Sequence, residues 1–419
     1  MSLPAQIAVS FDFSSGATFG TGFVIGSPDN GVIGVNSFGS NDVPIPTVDL
    51  TPDVYSISIR RGRNIMKDQY DAGTAIVRVL DPLGYFNPQN PSSPYFGYLV
   101  PLRKLRVSAT TSTADHFLFS GYVNDYKYYF PVGQETAYVD ILCTDGFRLL
   151  QMSQIQTVAD SGAGQTTGTR LGKILDMVSW PTNMRSFATG NSSCQASSVD
   201  TSVRSVLQAS RNVEQSEYGA FYMDSNGVAV FKSRSEVLAA AGTAPTVFNQ
   251  DGTGINYANV TFAFDDKQVV NNVSAQRTGG TAQVSTDSAS VATYFTHSLS
   301  YSNLIVETDA EALNIAKAYV SSHKDTTIRI DSMTLDLMTA DYSAGVSAAL
   351  DLDYFDQVQI TNTQPGGSTI TKTLQVQGIA HAITPNTWRT TLTTQEPIID
   401  GFIIGSSLYG ILGTSVLAY

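Results

Sequence analysis

The stretch DVYSISIRRGR at residues 53–63 places Tyr55, Ile57 and Ile59 at alternate positions, separated by serines and followed by arginine. The same period of two returns at residues 75–79, 105–109, 117–119 and 138–142. Successive side chains of a β-strand point to opposite faces, so this pattern predicts half-buried strands. Residues 47–150 are therefore predicted to form a β domain.

The stretch from Asp81 to Pro101 contains five prolines. Proline lacks a backbone donor and is excluded from central strands, so we predict a rigid, extended loop. Its aromatic residues have no obvious place in a core, and we expect them to contact another protein; the alternative is that they pack under their own loop. These candidates are Tyr85, Phe86, Tyr95 and Phe96.

Two basic runs, at residues 60–63 and 103–106, suggest ion pairs with partner carboxylates, because arginine forms bidentate pairs at interfaces. The alternative is a solvated surface. Arg103 is added to the candidate contact residues on this ground.

From residue 151 the pattern changes, and residues 151–260 are predicted to form an α+β domain. Apolar residues recur at helical spacing in 171–178 and 203–210, with Asp200 or Thr201 placed to cap the second helix. Two short apolar runs then flank Asn226 and Gly227, which predicts a β-hairpin.

Residues 261–400 are predicted to form a second β domain with one helix at about 308–324. Thr308 and Glu311 have the spacing of a capping box, which marks the start of that helix. Strands are predicted at 327–337, 357–361, 373–379 and 389–392 from their alternation and β-branched content.

The two ends of the chain carry a repeat, FVIGS with GVIG at 23–34 and FIIGS with GILG at 402–413. So short a repeat must add to a sheet, pair with the other copy or dock on a neighbouring subunit, unless the match is chance. We expect apolar hairpins within a Gly/Ser-rich arm (1–46) and at 401–419. The second copy adds further candidate contact residues, namely Phe402, Tyr409 and Tyr419.

The composition limits the possible partners. Charged residues are only 14% of the 419 residues, against about 25% in ordinary soluble domains, and the formal net charge is -12. Specific binding of nucleic acid is not expected, because that affinity comes from clustered lysine and arginine. The N-terminus has no secretory signal pattern, and the uncharged C-terminal stretch, interrupted by glycines, is not expected to span a membrane.

No catalytic, metal or cofactor site is predicted. The two cysteines and four histidines show no ligand spacing, and no serine lies in a Gly-x-Ser-x-Gly motif. Cys143 is expected to be a small buried residue at the end of a strand, and His381 a hydrogen-bonded strand residue. Residues 224–227 resemble the start of a cation loop, but a turn explains them better.

Several stretches together resemble the minor tail proteins of long-tailed bacteriophages. They are DVYSISIRRGR (53–63), QYDAGTA (69–75), DPLGYFNP (81–88), SPYFG (93–97), FSGYV (119–123), DGFRLL (145–150), ITPNTWRTTL (383–392) and GILGTS (410–415) with the end at Tyr419.

This resemblance implies a tail-tip or baseplate hub protein with a mainly β fold, an α+β insertion and two β-barrel-like domains. It further implies a homotrimeric ring that closes the tail tube, with no enzymatic activity, made in the host cytoplasm and located in the virion. The implied partners are further copies of the chain, the distal tail protein, the end of the tape-measure protein, and a tail fibre or receptor-binding protein. The ring would serve host attachment and genome ejection, with DNA passing through it.

Three alternatives stay open. The first is a hexameric distal tail ring protein. The second is a carbohydrate-binding tail module, for which Trp180 and Trp388 are few stacking residues. The third is a tail-borne cell-wall hydrolase, which would need the catalytic residues that the sequence does not display.

Overall fold

The computed structural model of the chain describes residues 3–13, 47–64, 69–112, 114–131, 136–199, 201–339 and 342–397. The predicted hairpins at 23–34 and 402–413 lie outside these residues, and so do Phe402, Tyr409 and Tyr419.

The first part of the chain is built of strands. They are β1 (Gln6–Asp12), β2 (Thr47–Asp49), β3 (Val54–Asn64), β4 (Gln69–Leu80), β5 (Lys104–Thr110), β6 (Asp115–Tyr129) and β7 (Tyr138–Thr144). All the strands predicted between residues 55 and 142 are present, and most are longer than their alternating stretch. β1 pairs with β5 over its whole length and buries Phe11, so the first residues of the predicted arm are part of the core.

The next part mixes helices with short strands. Its elements are α1 (Phe147–Met152), β8 (Gln154–Ile155), β9 (Gln165–Thr166), α2 (Thr167–Asp176), β10 (Arg185–Phe187), β11 (Ser193–Cys194), β12 (Arg204–Ser205), α3 (Val206–Glu217), β13 (Ala220–Met223), β14 (Ala229–Lys232), α4 (Arg234–Ala240) and β15 (Thr246–Asn249).

The predicted cap of the second helix is wrong. Ser205 caps α3 by accepting the amide of Gln208 at 3.1 Å, because β12 first pairs with β8 and keeps the chain extended up to that residue. The hairpin of β13 and β14 is confirmed, but only Gly227 takes a positive φ (86°), within a loop that is closed by the Asp224 amide donating to the Val228 carbonyl.

The last part contains the second set of strands. Its elements are β16 (Asn259–Ala263), β17 (Asn272–Arg277), β18 (Gln283–Thr286), α5 (Ser288–Tyr294), β19 (Ser298–Leu304), α6 (Asp309–His323), β20 (Arg329–Asp336), α7 (Tyr342–Asp351), β21 (Gln357–Thr363), β22 (Thr369–Thr384) and β23 (Thr387–Gln395). The capping box of α6 is confirmed in both directions, between Thr308 and Glu311. This helix packs against a separate small sheet of order β18-β17-β19.

The two sets of strands meet at the antiparallel pair of β22 and β3, in register from Gly378 opposite Gly62 to Ile383 opposite Ile57. At Gly62, where φ is 153°, an added Cβ would lie 2.6 Å from the Cα of Gly378, so the close approach of the two strands requires glycine. Thirteen of the described strands form one sheet, of order β16-β20-β23-β22-β3-β4-β7-β6-β5-β1-β2, with β21 pairing with β22 and β15 with β21.

The predicted mainly β fold with an α+β insertion is confirmed. The described strands do not close into a barrel, and the strands expected in two barrel-like domains share one sheet. The five predicted segments of the chain remain a prediction.

Two polar residues singled out in the sequence lie in this core. Cys143 is buried in β7, and burial raises the pKa of its thiol. His381 is buried in β22 with its Nδ1 3.0 Å from the Thr390 hydroxyl, and burial lowers its pKa to about 3. Both expectations are confirmed.

Candidate assembly surface

The loop between β4 and β5 is a chain of consecutive turns. Backbone amides donate to carbonyls three residues earlier at every third position, through Gly84, Asn87, Asn90, Ser93 and Phe96, over 3.0–3.2 Å. Proline is the second residue of four of these five turns, where its fixed φ matches the turn geometry. The loop is therefore rigid, but the predicted extended form is wrong, because the prolines fold the backbone into turns.

Side-chain hydrogen bonds hold the turns of this loop together. The carboxylate of Asp81 accepts the amides of Tyr85 at 2.7 Å and Phe86 at 2.9 Å. The Ser93 hydroxyl donates to the Tyr85 carbonyl at 2.5 Å, and Asn90 Nδ2 donates to the Gly84 carbonyl at 2.9 Å. Each bond ties one turn to another, so the loop behaves as one rigid body.

The predicted contact residues divide between the core and the surface. Phe86 is only 3% exposed, and Tyr95 is half-buried, with its ring stacked 5.0 Å from that of Phe13. Burial raises the pKa of Tyr95. These two residues therefore pack under their own loop, which is the alternative considered above, whereas Phe96 is 48% exposed.

Tyr85 is half-buried with its ring edge-on to Tyr95, at 6.3 Å between centroids. Arg103 is also half-buried, and its Nε donates to the Tyr98 carbonyl at 3.1 Å. A contact role for the set remains a prediction.

Exposed apolar residues surround this loop and the adjoining strand ends. Leu83 is 64% exposed and Phe130 56%. Leu80, Tyr138 and Tyr129 lie side by side on β4, β7 and β6, and the two tyrosine rings stack at 4.5 Å. We call the exposed members of this group the apolar rim: Leu80, Leu83, Phe96, Val100, Tyr129 and Phe130.

Stacked aromatic rings at the end of β6 and a hydrogen bond to the loop support the rim. The rings of Tyr126 and Tyr128 on β6 and of Phe130 directly after it follow one another, nearly parallel, with centroids 6.4 and 6.1 Å apart. The Tyr126 hydroxyl donates to the Val100 carbonyl at 3.2 Å, which links the strand to the loop. A preformed apolar surface loses little side-chain entropy on binding, which favours protein contacts.

Arg61, in the first basic run, does not follow the prediction of interface ion pairs. It is buried and lies 3.5 Å from Asp353 of the same chain, with its guanidinium 5.2 Å from the centre of the Tyr354 ring. The prediction is wrong for this residue because the loop before β21 folds over β3.

Sequence reasoning missed a buried polar junction between the main sheet and the α+β part. Asp145 accepts the amides of Gly73 and Phe147, and Arg211 pairs with Glu214 at 2.7 Å. The Tyr70 hydroxyl donates to Gln377 Oε1 at 2.6 Å. The only signal in the sequence was Asp145 directly after an apolar strand.

No group of three or more potential metal ligands occurs among the residues that the structure describes. Within the same ranges, no helix has the length and hydropathy needed to cross a bilayer.

Neither a family model nor a curated protein matches the chain. Solved structures do. The chain is similar to the 43 kDa tail protein of prophage MuSo2 from Shewanella oneidensis, with 13% identity, a TM-score of 0.53 and coverage of 84% of this chain and 94% of that one. It is also similar to a tail protein from Neisseria meningitidis MC58, with 12% identity, a TM-score of 0.56 and coverage of 85% and 95%. The chain therefore has the fold of phage tail proteins.

Proposed function

We propose that this chain is a structural protein of a bacteriophage tail tip and that its copies form the hub ring that closes the tail tube. The observation that carries the proposal is the shared fold, which extends over nearly the whole length of two tail proteins. The chain contributes surfaces for assembly and no catalytic step.

The apolar rim supports this proposal. Several large apolar side chains that are exposed around one loop and the adjoining strand ends are typical of a contact site. The rim members Leu83, Phe96 and Val100 belong to the loop that is held by proline turns and hydrogen bonds, so the loop presents them in one conformation. We infer that it contacts a neighbouring copy in a homotrimer.

The remaining partners follow from the position of a hub. They are the distal tail protein above the ring, the end of the tape-measure protein, and a tail fibre or receptor-binding protein that attaches to the host. The net charge of -12 would let DNA pass without adhering, because like charges oppose close approach. Such a chain is made in the host cytoplasm and built into the virion.

Native mass spectrometry of the full chain over a concentration series tests the ring. We expect a species of three chain masses, whereas six chain masses would move the assignment to a distal tail ring protein. Phe96→Ser with Phe130→Ser should shift the trimer to monomer. The matched control Val284→Ser removes an apolar side chain that is also exposed, on β18 away from the rim, and should leave the trimer intact.

A further inference from the structure

An apolar hollow of about 500 Å³ opens at the start of β3, beside the main sheet. It is formed by the first residues of β1 and β3, the residues that follow β5, and the turn after β22. Its described lining residues carry no charge and include Ile7, Val54, Ile57, Ile383 and Pro385. Tyr55 stands at its mouth, 51% exposed.

The hollow and the end of the described chain lie at different positions along β22. Gln395, at the end of β23, is opposite Gln375 on β22, whereas Thr384 at the hollow is nine residues further along β22. At about 3.3 Å per residue this separation is roughly 30 Å. The described chain stops at Pro397, two residues after β23.

The residues that follow have the composition of the hollow. Residues 402–419 contain no charged side chain, and 11 of these 18 residues are apolar. An extended chain covers about 3.3 Å per residue, so the 14 residues from 398 to 411 reach about 45 Å, well beyond the distance required. The segment therefore matches the hollow in composition and is long enough to reach it.

We propose that the hollow binds the end of the apolar segment 402–419 of its own chain, from about residue 411 onward, while the residues before it span the distance from β23. Burial of the segment removes apolar side chains from water at about 25 cal/mol per Å². The short tether holds the segment at an effective concentration in the millimolar range, so the intramolecular contact is favoured over capture of the same segment from a second copy. In the free chain, docking covers two apolar surfaces at once.

Photocross-linking of the full chain tests this contact without assuming which residue enters the hollow. Tyr55 is replaced by p-benzoylphenylalanine, an aromatic residue of similar shape, and cross-linked peptides are identified by mass spectrometry. The matched control places the same residue at Phe264, which is 70% exposed and lies near the far end of the strands. We expect peptides from 402–419 at position 55, at least tenfold above the control.

A mixture of ¹⁵N-labelled and unlabelled chains identifies the source of the segment. Cross-linked pairs that are wholly labelled or wholly unlabelled are expected; mixed pairs would overturn the proposal in favour of a second copy. Cross-links to residues 23–34, or a yield no higher than the control, would also overturn it.

A pair of variants in the segment tests whether its apolar side chains are responsible for the docking. Ile411→Asp with Leu412→Asp should reduce the cross-link at least tenfold, because an apolar hollow excludes charge. Ser406→Asp with Ser407→Asp adds the same charge at polar positions and should leave most of the cross-link. An equal loss in both variants would contradict docking through the apolar residues.

Discussion

The carboxylate of Asp145 accepts the amide of Gly73 at 2.6 Å, across the end of the β4–β7 pair. Its other oxygen accepts the amide of Phe147 at 3.0 Å, at the start of α1. One fully buried side chain therefore links the main sheet to the first helix of the α+β part. The packing is tight, since an added Cβ on Gly73 would lie 2.9 Å from the carboxylate.

Asp145 is expected to make the stability of the protein depend on pH. Burial raises its pKa to about 7, against the lowering effect of the two amides. A group whose pKa is higher in the folded state stabilises that state fully below its unfolded pKa of about 4, and the contribution is lost as pH rises to about 7. Urea unfolding at pH 5 and pH 8 should therefore show greater stability at pH 5 from this group.

The variant Asp145→Asn removes the titration. The free energy of unfolding of the wild type should fall, relative to that of the variant, by about 1.4 kcal/mol per pH unit as pH rises from 4 to 7. Asp160→Asn, at an exposed position, serves as the control and should follow the wild type at every pH. A constant difference between wild type and Asp145→Asn would contradict the raised pKa.

Glu217→Gln is expected to destabilise the α+β part. The buried carboxylate accepts the Thr167 hydroxyl at 2.7 Å and the amides of Asn191 and Ser192 at 2.8 and 2.9 Å. An amide side chain would turn an NH₂ towards one of these donors, at a cost of about 2 kcal/mol in the free energy of unfolding. Glu236→Gln, at an exposed position on α4, is the control. Equal effects of the two variants on stability would contradict a stabilising role of the Glu217 carboxylate.

Phe295→Gly is expected to stabilise the fold. Phe295 has φ 64° and ψ 179°, a region reserved almost entirely for glycine, and its side chain is 81% exposed. Asn271 holds the residue there by donating to its carbonyl at 2.8 Å. Glycine should raise the free energy of unfolding by about 1 kcal/mol, whereas Phe295→Ala removes the ring but keeps the strain and should not. No difference between the two variants would show that the backbone is unstrained.

Two arginines should respond in opposite ways to replacement by methionine. Nε and Nη1 of Arg61 are buried and have no hydrogen-bond partner among the described residues, so Arg61→Met should leave stability unchanged or raise it. Arg78 binds both carboxylate oxygens of Asp140, at 2.7 and 2.8 Å, so Arg78→Met should lower the free energy of unfolding by about 1 kcal/mol. Thermal denaturation of both variants measures the two changes in stability. A larger loss of stability for Arg61→Met than for Arg78→Met would contradict this reasoning.

Local patterns in the sequence predicted local structure well. The alternation around Ile57 and Ile59, the capping box at Thr308 and the Asn226-Gly227 hairpin depend on neighbouring residues, and all three are present. Pairing between distant strands has no such signal. The β22–β3 pair that unites the two β regions joins residues more than 300 positions apart, so one sheet could not be told from two domains.

The candidate surface was predicted only in part for the same reason. The loop was recognised from its prolines, but the burial of Phe86 depends on its amide bond to Asp81 and on its ring contact with Tyr95, which sequence spacing does not reveal. Tyr129 and Phe130 were missed because their exposure depends on what lies beside the end of β6, for which the sequence of the strand gives no local signal.

Electron cryomicroscopy of phage particles that carry this chain tests the central claim most directly. The proposed role in the tail tip predicts density for the main sheet in a ring of three copies at the end of the tail tube, with the apolar rim at the contact between copies. A tail tip without this density, or the chain located in the capsid or along the tail tube, would contradict the claim.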